Sequence, residues 1–505
     1  MTRVLRLVSH VPDGPPTTIA PRALAMDHGI LAALGAGAAA ERLRDPRALA
    51  VTTGQQPGLF GGPLYVVHKA LAALAVARRL EEGWGRPVVP VFWLAGDDHD
   101  WIEASHAAWW TGRETVREWQ LPARPADAPQ RPMSREPVPA TITAARDALA
   151  ADLPAGPDRE HALAWVDRHW RTGHSMATAF AGAMRELLEP LGIACIDPTE
   201  QAFKRAQAPL IAAALEHSDV IDATLAAAPD PGTGIAAGDG ATLVFLEAIA
   251  GRDRLVREGP DSFVTRRSAE RFTMAALRDM LAGEPERFSA NVLLRPVIEA
   301  ALLPTVAYVA GPGERRYLVH QAALVYPHLD IVPQAVVPRW GATVVDPTTE
   351  SLLERLGVGA EEVIRGEQGF ERLLLLRDMP DEVGDALATL REAIEGAQAT
   401  LSHAGVAIDP VLERAVTARA NRLRHVSADL ENLMERHLKK RDDIAWAQYQ
   451  RLRARLRPHG APQERTIAVA AALGRWGTAW LEAGLASAMA WADTAVVPGG
   501  AGERG

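Results

Sequence analysis

Apolar positions along this chain fall into three rhythms, and each predicts different elements. Residues 48–53 (ALAVTT) form a short continuous apolar run, read as a buried strand, followed by the glycine-rich GQQPGLFGG at 54–62. Pro63 suits the first turn of a helix, and Leu64, Val67, Leu71 and Leu74 recur every three or four residues, the stripe of a helix packed on a sheet. Gly83 and Gly85 end that helix, and PVVPVFWLAG (87–96) is a second buried strand. Strand, helix and strand make a βαβ unit, which predicts parallel strands and a right-handed crossover. Both GQQPGLFGG and GDDHD (96–100) then follow strand carboxyl ends, the edge at which open α/β sheets bind ligands.

Further along, the rhythm changes. Residues 111–160 are rich in Pro, Ala and Arg, with PARPADAPQRP at their centre, and are expected as a surface excursion rather than a sheet strand. Helical pattern returns over 161–189; LGIACID (191–197) and ATLVFLEA (241–248) read as strands, with the loop PDPGTGIAAGDG (229–240) before the second. The segment 288–345 supplies at least two more strands and a turn at GPGE (311–314). From about 380 to 455, Leu387, Leu390, Ile394, Ala397 and Leu401, then Leu423, Val426, Leu430 and Leu433, step by threes and fours on two helices separated by HAGVAIDP. So narrow a seam buries little by itself and implies a partner surface. ERTIAVAAALGRWGTAWLEAGL (464–485) reads as one apolar helix before a Gly-rich tail.

At 505 residues the chain exceeds a single hydrophobic core, so two or three domains are expected. Hydrophobic residues at 48% and charged ones at 23% are ordinary globular values. A net charge of -9 argues against broad capture of nucleic acid or anionic membrane. One cysteine, Cys195, excludes an intrachain disulfide and a thiolate zinc cage, and its place in an apolar strand reads as an inert packed thiol. The N-terminus lacks a secretory core, and the best membrane-length run carries Arg295 and Glu299, so a soluble cytoplasmic protein is expected. Four lysines (Lys69, Lys204, Lys439, Lys440) stand against fifty arginines, which marks places where a compact ammonium serves better than a guanidinium.

Two segments carry candidate chemistry. GQQPGLFGGPLYVVHK is neither a P-loop, since no Ser or Thr follows its lysine, nor a GxGxxG fingerprint. Gly61 and Gly62 bare backbone amides at a helix head, an anion site to which Gln55 and Gln56 add side-chain donors; the alternative is a tight turn needing positive φ. His68 and Lys69 lie about a turn into the helix, where a histidine is more commonly a satisfied core or surface residue. In GDDHDWIEASH (96–106), Asp97, Asp98 and Asp100 around His99 repel one another unless a cation, a basic group or a polar ligand compensates them. If 99–106 is helical, His99, Glu103 and His106 share a face able to bind a divalent metal, activate a nucleophile or recognise an amine. The alternative is an acidic turn answering a helix dipole. Behind these, Gly311 and Gly313 open a turn with Glu314 and Tyr317 close by, either a second substrate-holding segment or a helix cap. Arg295, set in an apolar run, wants a carboxylate or phosphate partner, most commonly a structural ion pair.

TTGQQPGLFGGPLYVVHK, PVVPVFWLAGDDHDWIEASH and VLLRPVIEAALLPTVAYVAGPGERRYL together resemble the cysteine ligase family of bacillithiol biosynthesis, BshC. The likeness runs through the heptad region to PQER (462–465), nearly the whole chain in order. It implies a Rossmann-like α/β core with a parallel sheet and inserted connecting segments, similar to class I aminoacyl-tRNA synthetases, plus a coiled-coil arm that makes a homodimer. The implied parts are 1–110 (core, first part), 111–190 (helical insert), 191–379 (core, second part with an insertion), 380–456 (arm) and 457–505 (final helix and tail). The implied reaction adds cysteine to glucosaminyl-malate with ATP as cofactor; no metal ligand is assigned. Gly54, Gln55, Gln56, His68 and Lys69 match the first motif, and Asp97 (where a glutamate is common), Asp98, His99, Asp100 and His106 the second. Gly311, Pro312, Gly313 and Glu314 match the third. No HIGH or KMSKS signature is present, so adenylation is not legible, and no cysteines build the zinc site of related cysteine-activating enzymes. In the implied scheme Arg295 or Arg339 grips the malate dicarboxylate and His99 or a neighbouring aspartate takes the amine's proton. Helix-head amides, His68 or Lys69 meet the oxyanion. A metal-dependent hydrolase or transferase on the acidic tract, and a nucleotide-binding coiled-coil scaffold, remain open readings.

Overall fold

A computed structural model describes residues 5–366, 380–441 and 443–500, except 12–13, 23–25, 27 and 35–36. The expected tail beyond residue 500 lies outside these. Two compact units divide the chain, 1–346 with 461–505, and 347–460.

The first unit is built on an all-parallel sheet of β1 (Leu49–Gln55), β2 (Val88–Leu94), β3 (Ala194–Ile196), β4 (Thr305–Ala310) and β5 (Ala335–Pro338), in the order β5-β4-β1-β2-β3. Helix α1 (Tyr65–Trp84) makes the β1–β2 crossover and ends on Gly85, whose left-handed φ of 62° closes the C-cap. β1 and β2 pair from Leu49–Val88 to Gln55–Leu94, so β1 outruns its apolar core and carries Gly54 and Gln55 into the sheet. Glycine is required there: a Cβ on Gly54 would stand 2.9 Å from the Trp93 carbonyl oxygen. Strand residues alternate between two cores, Leu49, Val51, Phe92 and Val309 on one face, Ala50, Val91, Trp93 and Tyr308 on the other. The chain runs outward from β1 to β3 and then returns to β4 on the far side of β1. That reversal opens a crevice at the carboxyl ends of β1 and β4.

α2 (Gln201–Glu216), α3 (Arg295–Leu302) and α4 (Pro312–Tyr317) flank this edge. Beside them lies a second, antiparallel sheet of 271–272, 262–265, 251–259, 241–248 and 288–290 in that spatial order. ATLVFLEA is thus a strand, in this second sheet.

Two expectations are corrected. The Pro- and Arg-rich excursion contains a strand, Val116–Gln120, paired antiparallel with His106–Trp110 because Val116 and Trp119 set their side chains against the core. The single helix expected over 464–485 is three, the short Gln463–Thr466, then Val469–Trp476 and Ala479–Ala495, the last two broken at Gly477 with φ 63°.

In the second unit, α5 (Asp381–Val406) and α6 (Val411–Arg441) pack along each other, bridged by Arg391 and Glu431. Ile394 is buried, yet Leu390, Leu401, Leu423, Val426, Leu430 and Leu433 remain 37–57% exposed. Among the described residues no helix is long and apolar enough to cross a membrane.

Candidate active site

The carboxyl ends of β1, β2 and β4 face a cavity of about 430 Å³, closed on its far side by the antiparallel sheet and the 234–236 loop. That is the size of a small-molecule site. Its parallel-sheet wall rests on Lys69, which is buried beneath it rather than lining it. The ammonium donates to the Gly54 carbonyl, to Gln55 Oε1 at 3.2 Å and to Glu314 Oε1 at 2.8 Å. Burial draws Lys69 below its ordinary pKa, against the opposing pull of Glu314. Burial acts to raise Glu314 in turn, but Lys69 and the Gly311 amide hold it below the usual carboxylate range. Tyr308 donates its hydroxyl to Glu314 at 3.0 Å. Gly311, with its amide 2.8 Å from Glu314, therefore caps α4, and the 311–317 segment serves both as cap and, through Glu314 and Tyr317, as cavity wall.

Arg295, at the head of α3, donates to Glu299 at 2.8 Å and to the Tyr308 hydroxyl at 3.1 Å. Glu299 is fully buried, with the Thr52 hydroxyl on its other oxygen, and burial raises its pKa. Arg295 is thus a structural ion pair at the cavity edge and not a free grip for a dicarboxylate.

The acidic tract distributes its charges among separate tasks. Asp97 takes a bidentate contact from buried Lys204, at 2.8 Å to each oxygen. Asp98 accepts the His99 and Asp100 amides on one oxygen, at 2.6 and 3.1 Å, and faces the cavity. Asp100 caps the short helix Trp101–Ala104 through the Glu103 amide at 3.1 Å, the capping role weighed for this tract. The shared helical face of His99, Glu103 and His106 does not form, because that helix is four residues long and His106 already belongs to the following strand. Glu103 turns instead to Gln56 and Tyr65. Among the described residues no group of three or more His, Cys, Asp or Glu is arranged to hold a metal ion.

His99 is set by Arg252. The guanidinium donates to His99 Nδ1 at 2.9 Å, so this nitrogen is the acceptor and the ring proton sits on Nε2. Burial, then Arg252, push its pKa down to about 4. The ring is therefore neutral and a hydrogen-bond donor through Nε2, which favours the neighbouring aspartate over His99 of the two expected proton acceptors.

Several other expected residues lie away from the cavity. Gly61 and Gly62 do not bare their amides: these donate to Gly58 and Leu59 at 3.2 and 3.1 Å, in a buried turn packed on Val469 and Trp165. His68 is fully buried between Trp340 and Trp480, with Nδ1 2.8 Å from Glu464. Arg339 holds the same Glu464 with both terminal nitrogens, so it too is unavailable to substrate. His106 and Gly313 are not in the lining either.

Residues 31–340 match the family model "Bacillithiol biosynthesis BshC, N-terminal Rossmann-like domain", and residues 342–490 match "Bacillithiol biosynthesis BshC, C-terminal coiled-coil domain". The chain belongs to the BshC family. Proteins named "Putative cysteine ligase BshC" are similar to it along most of its length. The one from Solibacter usitatus is 31% identical over 447 residues, covering 87% of this chain and 82% of the relative. Those from Symbiobacterium thermophilum and Salinibacter ruber are each 30% identical, covering 88% of this chain and 83% and 81% of the relatives. In this BshC-family chain, sequence reasoning overlooked Lys204, Arg252, Arg254, Arg266 and Tyr308. Lys204 had a signal: with four lysines in the chain, the two placed in the α/β core are both buried, and each meets a carboxylate and a backbone carbonyl. The arginines of the antiparallel sheet had none, being a few among fifty.

Proposed function

We propose that this chain is a cytoplasmic cysteine ligase, joining the cysteine carboxyl to the sugar amine of glucosaminyl-malate in the last step of bacillithiol biosynthesis. The reading is carried by family membership over both parts of the chain, supported by a small-molecule cavity at the reversal point of the parallel sheet. A carboxylate oxygen is a poor leaving group, so the cysteine carboxyl needs activation, for which ATP is the proposed co-substrate. The attacking amine must be neutral. Asp98 is the cavity carboxylate free of lysine and arginine partners among the described residues, which suits it to take that proton. The Nε2–H of neutral His99 suits the developing negative charge on the carbonyl oxygen. Lys69 is a positioning residue, fixing Gly54, Gln55 and Glu314.

The test is mass spectrometry of purified protein supplied with cysteine, ATP and glucosaminyl-malate, beside the thiol pool of a deletion strain. Formation of the cysteinyl amide is expected; a deletion strain with its normal pool of cysteinyl thiol would end the assignment. The exposed leucine seam of α5 and α6 supports a homodimer through the arm. Leu423→Glu with Leu430→Glu should then sediment as a monomer, since both side chains are already half in water within one chain.

A further inference from the structure

Charges around the cavity do not balance evenly. On the parallel-sheet side each is internally answered: Asp97 by Lys204, Glu314 by Lys69, and Arg295 by Glu299. The antiparallel-sheet side differs. Arg252 is buried and donates to His99, Ser289 and the Ala290 carbonyl, in hydrogen-bond contact with no carboxylate among the described residues. Arg254 donates to the Thr242 and Ala236 carbonyls, at 2.8 and 3.3 Å, and makes no ion pair among the described residues, the charge of Asp222 reaching it only at longer range. Arg266 lines the cavity with its side chain in no hydrogen bond or ion pair among the described residues. Its amide donates to the Arg254 carbonyl at 2.8 Å, so the two guanidinium-bearing residues leave the sheet at adjoining points. Among the residues lining this wall Asp98 stands against these three arginines, an excess of two positive charges, with Asp222 acting on Arg254 from outside the lining.

Arg252 is buried, Arg254 half-buried and Arg266 exposed; like charges held together there are costly to the extent that water is shut out, unless an anion joins them. We infer that Arg254 and Arg266 form the subsite for a dianionic group, the dicarboxylate of the acceptor, with Arg252 adding field from behind while it orients His99. Two guanidinium forks suit two carboxylates, and two excess charges suit a ligand carrying two. This moves the expected dicarboxylate grip from Arg295 and Arg339, whose guanidinium groups are already taken by Glu299 and Glu464, to residues without carboxylate partners. The identity of the ligand rests on the ligase reading; the charge excess does not. ATP phosphates share the chemistry, so the experiment separates them.

Calorimetry on the full-length protein would compare glucosaminyl-malate, ATP and methyl glucosaminide, which lacks the dicarboxylate, in wild type and Arg266→Gln. Arg266→Gln should weaken glucosaminyl-malate roughly 10- to 100-fold, the loss of a charge-assisted contact. ATP binding should hold, and methyl glucosaminide should bind equally poorly to both proteins. Arg254→Gln should act in the same direction; because it also frees two carbonyls, its thermal midpoint is read alongside, and Arg266→Gln decides if it unfolds. Unchanged affinity for glucosaminyl-malate in Arg266→Gln, no binding by wild type, or weakening of ATP instead would overturn the subsite. If the dicarboxylate binds, Arg266→Gln weakens it, and yet no amide forms, the subsite stands and the ligase reading falls.

Discussion

His68 and Lys69 are neighbours on α1, and each anchors a buried network of charge, but the networks end differently. His68 joins Glu464 and Arg339 between Trp340 and Trp480, and the carboxylate there is fully met: His68, both Arg339 nitrogens and the Ala342 amide. Lys69 joins Glu314, Tyr308 and Arg295, and that set forms the wall of a cavity. Both networks are buried and both hold an ion pair, Arg339–Glu464 in one and Lys69–Glu314 in the other, so neither property marks a functional site. What separates them is the cavity beside the second, lined by Asp98, Arg254 and Arg266; His68 Nε2 also has no hydrogen-bond partner among the described residues, but it is enclosed and lines no such cavity. A network sealed in the core is read as stability, one that borders a cavity as chemistry.

Asp98→Asn puts the largest effect on the open side. Asn keeps the oxygen that accepts the His99 and Asp100 amides, so the turn survives while the base is lost. Turnover should fall by roughly 10²- to 10⁴-fold, and stability should stay within about 0.5 kcal/mol. Urea unfolding beside amide formation reads both; an equal loss in each would return the tract to a purely capping role.

Glu464→Gln is the converse. Removing the charge leaves buried Arg339 without its counter-ion and weakens the acceptor that His68 Nδ1 meets, at a cost of about 3–5 kcal/mol. The folded fraction should keep its turnover. The penalty should also depend on pH in one direction. Burial acts to raise Glu464, but His68 and Arg339 outweigh it and hold the carboxyl far below its ordinary pKa, so its contribution is full above about 4.3 and fades as pH falls further. A Glu464→Gln protein of normal stability and lowered turnover would erase the contrast between the two networks.

The sheet edge was legible because glycine and proline turns after apolar runs mark where parallel strands stop, which placed GQQPG and GDDHD on one rim. Which neighbour faces which network was not legible. His68 and Lys69 differ by about 100° on α1, and only segments hundreds of residues away, Glu464 and Glu314, decide what each meets. The expected helix over 99–106 failed for a tertiary reason: HAAWW pairs with VREWQ, and a strand there buries Trp109 and Trp110. Arg252 and its hold on His99 carried no local signal, since a lone arginine on a strand reads as a surface charge.

The smallest effect sharpens the comparison from within the open side, through the proton on His99. Its folded pKa of about 4 lies below the ordinary 6.5 because burial and then Arg252 disfavour the imidazolium, with Arg267 and Arg124 adding to this and Asp98 opposing it. The sign follows from which state holds more protons. Between pH 6.5 and 4 the unfolded chain protonates this ring while the folded chain resists, so His99 subtracts stability progressively as pH falls through that window, and nothing above it. His99→Gln, whose side-chain oxygen can still accept from Arg252, removes this loss. The variant should therefore gain on wild type by about 1 kcal/mol at pH 5, after solvent screening of a partly exposed ring, and by nothing at pH 8. Chemical unfolding at the two pH values measures it. A difference that instead appeared on raising the pH would mean an imidazolium in the folded protein, and with it a proton on Nδ1 that the contact from Arg252 does not allow.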